Sequence, residues 1–173
     1  MINFNFNEQK ATELVLYLAN RINDASKKKI LKLLFFADVY HINKYGRPIL
    51  GNVYNALKQG PVNSKLYDLI KNSTKDFSVI GSYGIVSNRA EDLGYFSKSD
   101  IEALDYSIKN YGIYTADELS ELSHEHSAWK KAWSHRGMSN NPQIDWLDFL
   151  DEENANDEEF KKELENKAEV LAF

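Results

Sequence analysis

The chain contains no cysteine, and only three prolines and eight glycines stand among its 173 residues. Without thiols there is no disulfide framework, no thiolate zinc site and no cysteine nucleophile. Apolar runs such as Leu33 to Ala37 fall far short of the ~20 residues that span a bilayer. The opening Met-Ile-Asn-Phe-Asn-Phe-Asn has no cationic region followed by an apolar stretch, so it does not read as a signal peptide. A soluble cytoplasmic protein is the expectation. Also missing are the glycine-rich nucleotide fingerprints, a Gly-x-Ser-x-Gly elbow and a His-Glu-x-x-His zinc motif. What is abundant is core material: 43% of residues are hydrophobic, with Tyr 10, Phe 9 and Trp 3. At ~150 residues per domain this is one domain with room for an appendage.

Charge is unevenly spread. The net charge is −5, yet residues 1–75 carry 12 Lys/Arg against 5 Asp/Glu, whereas residues 145–173 hold 11 acids and 3 lysines. Such asymmetry points to a charged partner or to a solvated acidic helix, and it is silent on fold.

Apolar periodicity places helices over residues 8–22, with Asn7 as cap, and from Ser26 to Tyr45. The second is apolar on nearly every face, which marks a helix in the middle of a domain. Gly46 and Pro48 end it. Val53 to Leu57 reads as a strand, Gly60-Pro61 as a turn and Ser64 to Lys71 as a helix. Phe77–Ile80 and Tyr83–Val86 around Gly81-Ser82 read as a β-hairpin. Ser97 with Asp100, and Thr115 with Glu118, are capping boxes opening two further helices. Ala128 to Trp133 is a short helix, and residues 137–143 are the clearest linker. Beyond them Trp146, Leu147, Phe149 and Leu150 form an apolar knot. Asn156 with Glu159 then caps a last helix striped by Phe160, Leu164, Ala168 and Leu171. The fold class expected is mainly α with a small antiparallel β element. Its expected division is a domain over residues 1–136 and an acidic amphipathic helical extension over 144–173.

Asp38 and His41, one turn apart on the central helix, have the spacing of a general base and its orienting group. Mutual hydrogen bonding of two buried polar groups explains the pair more simply. His124, Glu125, His126 and His135 offer imidazoles, but His124 and His126 point to different sides of a helix. No metal and no cofactor is expected. Lys27, Lys28, Lys29 and Lys32, with Arg47, Lys58 and Lys65, could meet phosphates. The helix, strand, helix and hairpin order of residues 26–87 invites comparison with a winged helix whose reading helix is Ser64 to Lys71.

The run Lys32-Leu-Leu-Phe-Phe-Ala-Asp-Val-Tyr-His-Ile-Asn-Lys-Tyr-Gly-Arg-Pro-Ile49 is followed by Tyr54-Asn-Ala-Leu-Lys-Gln-Gly-Pro-Val62 and Ser64-Lys-Leu-Tyr-Asp68. Together they resemble the Panacea domain, the SocA-like or phage-associated GepA-like antitoxin family. Leu119-Ser-Glu-Leu-Ser-His124, then Trp129 and Ala132, matches its later helical motif. The likeness runs from about Ser26 to Trp133. It implies a mainly helical domain that neutralises a toxin by direct protein–protein binding, with one branch delivering its toxin to a protease. No catalytic residues carry over, so no enzymatic activity is expected. The motif positions here are Asp38, His41, Gly46, Arg47, Pro48, Lys58, Gly60, Pro61, Ser64 and Tyr67, with His124 and Trp129.

The leading expectation is therefore an antitoxin whose partner is a cognate toxin. Operator DNA, or a protease for which the chain acts as adaptor, is the alternative partner. Aromatic and arginine anchors dominate protein interfaces, so the toxin-binding candidates are Tyr40, Tyr45, Arg47, Tyr54, Lys58 and Tyr67. The apolar stripe of the last helix is a second candidate surface, better suited to its own core than to a partner.

Overall fold

Helix α2 (Lys27–Tyr45) is the axis on which the other elements are laid. Its limits are written locally: the Ser26 side chain accepts from Lys29 N, and Gly46 takes the left-handed conformation at φ 66°. Between these caps twelve of its nineteen residues are buried, on every face. A computed structural model describes residues 1–72 and 75–171. Around α2 lie α1 (Glu8–Ala19), α3 (Ser64–Lys71), α4 (Lys98–Tyr111), α5 (Ala116–His124) and α6 (Ser127–Ser134), and α7 (Glu152–Ala155) and α8 (Glu158–Val170) follow. The expected mainly helical class with a small antiparallel β component is what forms. Among the described residues no helix is long and apolar enough to cross a membrane.

Five short strands make two sheets among the described residues. β1 (Tyr54–Leu57) pairs antiparallel with β2 (Gly60–Asn63) on one side and β5 (Gln143–Ile144) on the other. The register sets Tyr54 opposite both Asn63 and Ile144. Here the sequence reading needs correction: Gly60-Pro61 is no turn. The connection is Lys58-Gln59, and Gly60 and Pro61 belong to β2. Proline is tolerated there because β2 is an outer strand, where a missing N–H breaks no inner ladder. Gly60 adopts φ 110°, and a Cβ on it would collide with Ser123 Oγ and Lys32 Cε.

β3 (Phe77–Ile80) and β4 (Gly84–Ser87) form the expected hairpin, joined by three residues rather than two. It is tied to the entry of α2, since Lys27 N donates to Tyr83 O (3.1 Å) and Ile85 N to Ala25 O (2.9 Å). Both capping boxes, Ser97 with Asp100 and Thr115 with Glu118, are present. The last helix begins one residue later than its sequence suggests, with Asp157 as cap. Phe160 is half-buried, Leu164 and Ala168 are buried, and Leu171 is left 48% exposed.

The stretch read as linker ends in structure. Ala56 N donates to Pro142 O (2.8 Å), and Gln143–Ile144 then extend the β1 sheet. Ile144, Trp146, Phe149 and Leu150 sink into the same apolar cluster as α2. Phe35 is its hub, edge-on to Phe36, Tyr54, His126 and Phe149 at 5.2–5.9 Å. Phe149 is 1% exposed. Phe149→Ala is therefore expected to cost about 3–5 kcal/mol in urea unfolding. A loss below about 1 kcal/mol would mean that residues 144–150 do not stabilise the helical core.

Candidate partner-binding face

The β1–β2 hairpin is gripped by three helices. Trp129 Nε1 of α6 donates to Leu57 O (2.8 Å). Ser120 Oγ of α5 donates to Gln59 O (2.5 Å), and Lys32 Nζ of α2 donates to Pro61 O (3.0 Å). Carbonyls 57, 59 and 61 are thus satisfied from outside the hairpin, the last of them in a fully buried bond. Trp129 is held in turn by His124 and Trp133, with ring centroids at 4.1 and 5.5 Å. The result is a fixed turn whose tip carries the exposed Lys58.

Beside this tip opens a cavity of about 600 Å³. Lys27, Lys28 and Lys32 line it from α2, Leu57, Gln59 and Val62 from the hairpin, and Tyr67, Tyr83 and Asp117 from elsewhere. Lys27 Nζ lies 3.3 Å from the Tyr67 ring centroid, and Lys28 pairs with Asp117 at 2.6 Å. Lys32 is 1% exposed. Burial, with Lys28 nearby, brings its ammonium down to about 7. Lys29 is likewise buried, its Nζ donating to Asn23 O (2.9 Å). The four lysines grouped in the sequence as a phosphate face are therefore split, two inside and two at the mouth of the cavity.

The other end of α2 carries a second polar cluster. Asp38, fully buried, accepts from Ile49 N (2.7 Å) and Tyr54 OH (2.8 Å). Burial pushes its carboxyl up to about 7 in spite of those two donors. His41 does not pair with Asp38, contrary to the sequence reading. Its Nδ1 meets Arg47 O at 2.6 Å and its Nε2 meets Ser99 Oγ at 2.9 Å. A carbonyl can only accept, so Nδ1 bears the proton and Nε2 receives the hydroxyl, the pattern of a neutral ring. Burial, chiefly, lowers its pKa to about 4. Asp100 is buried too, but Lys10 (2.7 Å) and Arg47 (3.0 Å) hold its carboxyl below the usual range.

The six residues singled out as toxin contacts do not form one patch. Tyr40, Tyr45 and Arg47 sit at the C-terminal end of α2. Both tyrosine hydroxyls donate to Glu102 (2.5 Å each), and Tyr40 stacks on Tyr106 at 4.1 Å. Lys58 tops the hairpin tip and Tyr67 lines the cavity beside it, both toward the N-terminal half of α2. Tyr54 is 1% exposed with its hydroxyl on Asp38, so it presents nothing to a partner. The remaining motif positions are built into the frame. Gly46 ends α2, and Pro48 is buried. Ser64 Oγ donates to Val53 O (3.0 Å). Asn63 caps α3, its side chain accepting from Leu66 N. Outward on α3, Lys65 and Lys71 alternate with Asp68, a mixed face.

His126 caps α6 through Nδ1, and His135 Nδ1 lies on Lys131 O, so the histidines go separate ways. Among the described residues no three His, Cys, Asp or Glu side chains gather as a metal-holding group. The sequence reading missed Ser120, Gln59 and Tyr83, and it placed Lys32 on the surface. The usable signal for Lys32 was its position between Leu31 and Leu33 in a helix that is apolar all round.

In comparison with known proteins, the family model for the SocA-like antitoxin, Panacea domain, matches residues 30–130. That span contains α2 from its second turn, the gripped hairpin and the helices α5 and α6 up to Trp129 and Lys130. No curated protein and no solved structure matches the chain.

The buried groups set the pH dependence of stability. Unfolded, Lys32 keeps its proton to about 10.5, but folded it gives it up at about 7. Between those values the unfolded chain binds more protons, so stability should rise with pH, by up to about 1.4 kcal/mol per pH unit. Lys32→Met should reduce that slope in urea titrations at pH 7.5–9.5, whereas an unchanged slope would place the amine in water. Between about pH 4 and 6.5 the two other groups oppose each other. Asp38 holds a proton that the unfolded chain has lost, and His41 refuses one that the unfolded chain binds. Asp38→Asn should leave the His41 contribution alone and make stability climb across that range; a flat profile would contradict the assignment.

Proposed function

The chain belongs to the SocA-like antitoxin family built on the Panacea domain, and we propose that it neutralises a cognate toxin by binding it directly. The family match over residues 30–130 carries this reading. The architecture supports it physically. A fixed hairpin tip beside a concave aromatic and cationic face meets a partner without first being ordered, and preorganisation of that kind lowers the entropic cost of association. Under this reading Lys58 and Tyr67 contact the toxin from one end of α2. Tyr40, Tyr45 and Arg47, toward the other end of α2, are reached only by a partner that extends along that helix. The role needs no bond to be made or broken by the antitoxin itself.

Co-expression provides the test. The product of the adjacent gene, expressed alone, should arrest growth; with this chain present growth should return and the two proteins should copurify. Arrest that co-expression leaves unchanged would contradict the reading. Lys58→Glu, at a tip whose backbone is held by its neighbours, should weaken the purified complex by about tenfold or more, or about 1.4 kcal/mol, with the melting temperature of the free protein unaltered. Equal affinity would remove the tip from the interface.

A further inference from the structure

The start of α2 breaks a rule of helix electrostatics. Peptide dipoles leave partial positive charge at a helix N-terminus, which favours acids there. This helix instead opens with Lys27, Lys28 and Lys29 and has no acid in its first turn. Natural sequences accept such local conflicts at functional sites and compensate elsewhere. Lys29 is turned inward, but Lys27 and Lys28 both line the cavity of about 600 Å³ beside the hairpin tip.

Three further observations concern the same cavity. Lys27 has the Tyr67 ring as its neighbour and no carboxylate partner among the described residues. The Lys28 partner, Asp117, has a side chain 89% exposed, and exposed pairs of this kind are weak and readily exchanged. Lys32 lines the cavity too, and among the described residues its ammonium, which has three donor hydrogens, donates only to Pro61 O. Between these cations the walls are apolar and aromatic: Leu31, Leu57, Val62, Tyr67 and Tyr83. A nucleic acid calls for cations tracking a backbone of phosphates. Cations ringing a concave apolar floor, with Asp117 at the rim, suit a protein segment instead.

We propose that this cavity is the docking site for an acidic segment of the toxin. One apolar or aromatic side chain seats on Leu31, Val62 and Tyr67, and a flanking carboxylate replaces Asp117 on Lys28 and engages Lys27. The proposal rests on the antitoxin reading and adds to it the place and the chemistry of contact.

Selection from a displayed library of random peptides on the full-length protein tests this without the toxin. Enriched peptides should carry Asp or Glu next to Leu, Phe, Tyr or Trp. They should bind the variant with Lys27→Glu and Lys28→Gln at least about tenfold more weakly. An acid at the first helical position suits the dipole, so that variant should melt no lower than the wild type, which separates lost binding from lost folding. Absence of enrichment, enrichment of peptides without acids, or equal binding by the variant would overturn the docking site. So would tighter binding of a labelled DNA duplex that the same substitutions abolish. In co-expression, rescue of growth by the variant as complete as that by the wild type would overturn the docking site while the antitoxin reading stands. Failure of the wild type itself to rescue would strike the antitoxin reading, and the peptide selection would still decide what the cavity takes.

Discussion

An amine buried in the apolar middle of a helix is costly, and Lys32 is such a group. Its hydrogen bond to Pro61 O offsets part of that cost and supplies a donor where the hairpin backbone needs one. Ser120 and Trp129 supply the other two, at Gln59 and Leu57. Each such bond contributes only about 0.5–1.5 kcal/mol net, but leaving the buried Pro61 carbonyl without its donor costs more. The three together make the hairpin, α2, α5 and α6 a single unit. Gly60 belongs to the same constraint, because a side chain there would push Lys32 and Ser123 aside.

A matching pin stands further along α2. Asp38 takes the Ile49 amide and the Tyr54 hydroxyl, so the chain leaving α2 and the start of β1 are both referred to the same helix. The β1 strand is therefore fixed at its beginning through Tyr54 and beyond its end through the gripped turn. Such buried polar pins also oppose alternative apolar packings, in which their groups would be left without partners. Under the proposed binding role, that choice of one packing is functional. It decides where Lys58, Tyr67 and the cavity between them face, and it does so before any partner arrives.

Local signals in the sequence were legible and nonlocal ones were not. Ser26, Gly46 and the two capping boxes could be read directly, because a cap is decided within four residues of itself. Gly60-Pro61 misled because the pair usually marks a turn; only pairing with Ala56 and Leu57 shows it to be strand. β5 has two residues and no periodicity of its own, so residues 137–143 read as linker although the chain beyond Pro142 joins the sheet and the core. Tyr54 and Tyr67 look alike as candidate anchors. They part because Asp38, sixteen residues before Tyr54, offers a buried acceptor, which composition does not reveal. The resemblance to the antitoxin family was legible throughout, since it resides in contiguous runs of residues.

Amide hydrogen exchange of Lys32→Met, compared with the wild type, bears most directly on the claim that a buried amine holds the hairpin in place. The account predicts that protection falls at the amides of residues 57–60 and 62 and is kept in α1 and α4. Undiminished protection at those amides would show that the hairpin keeps its position without Lys32, and the claim would fail.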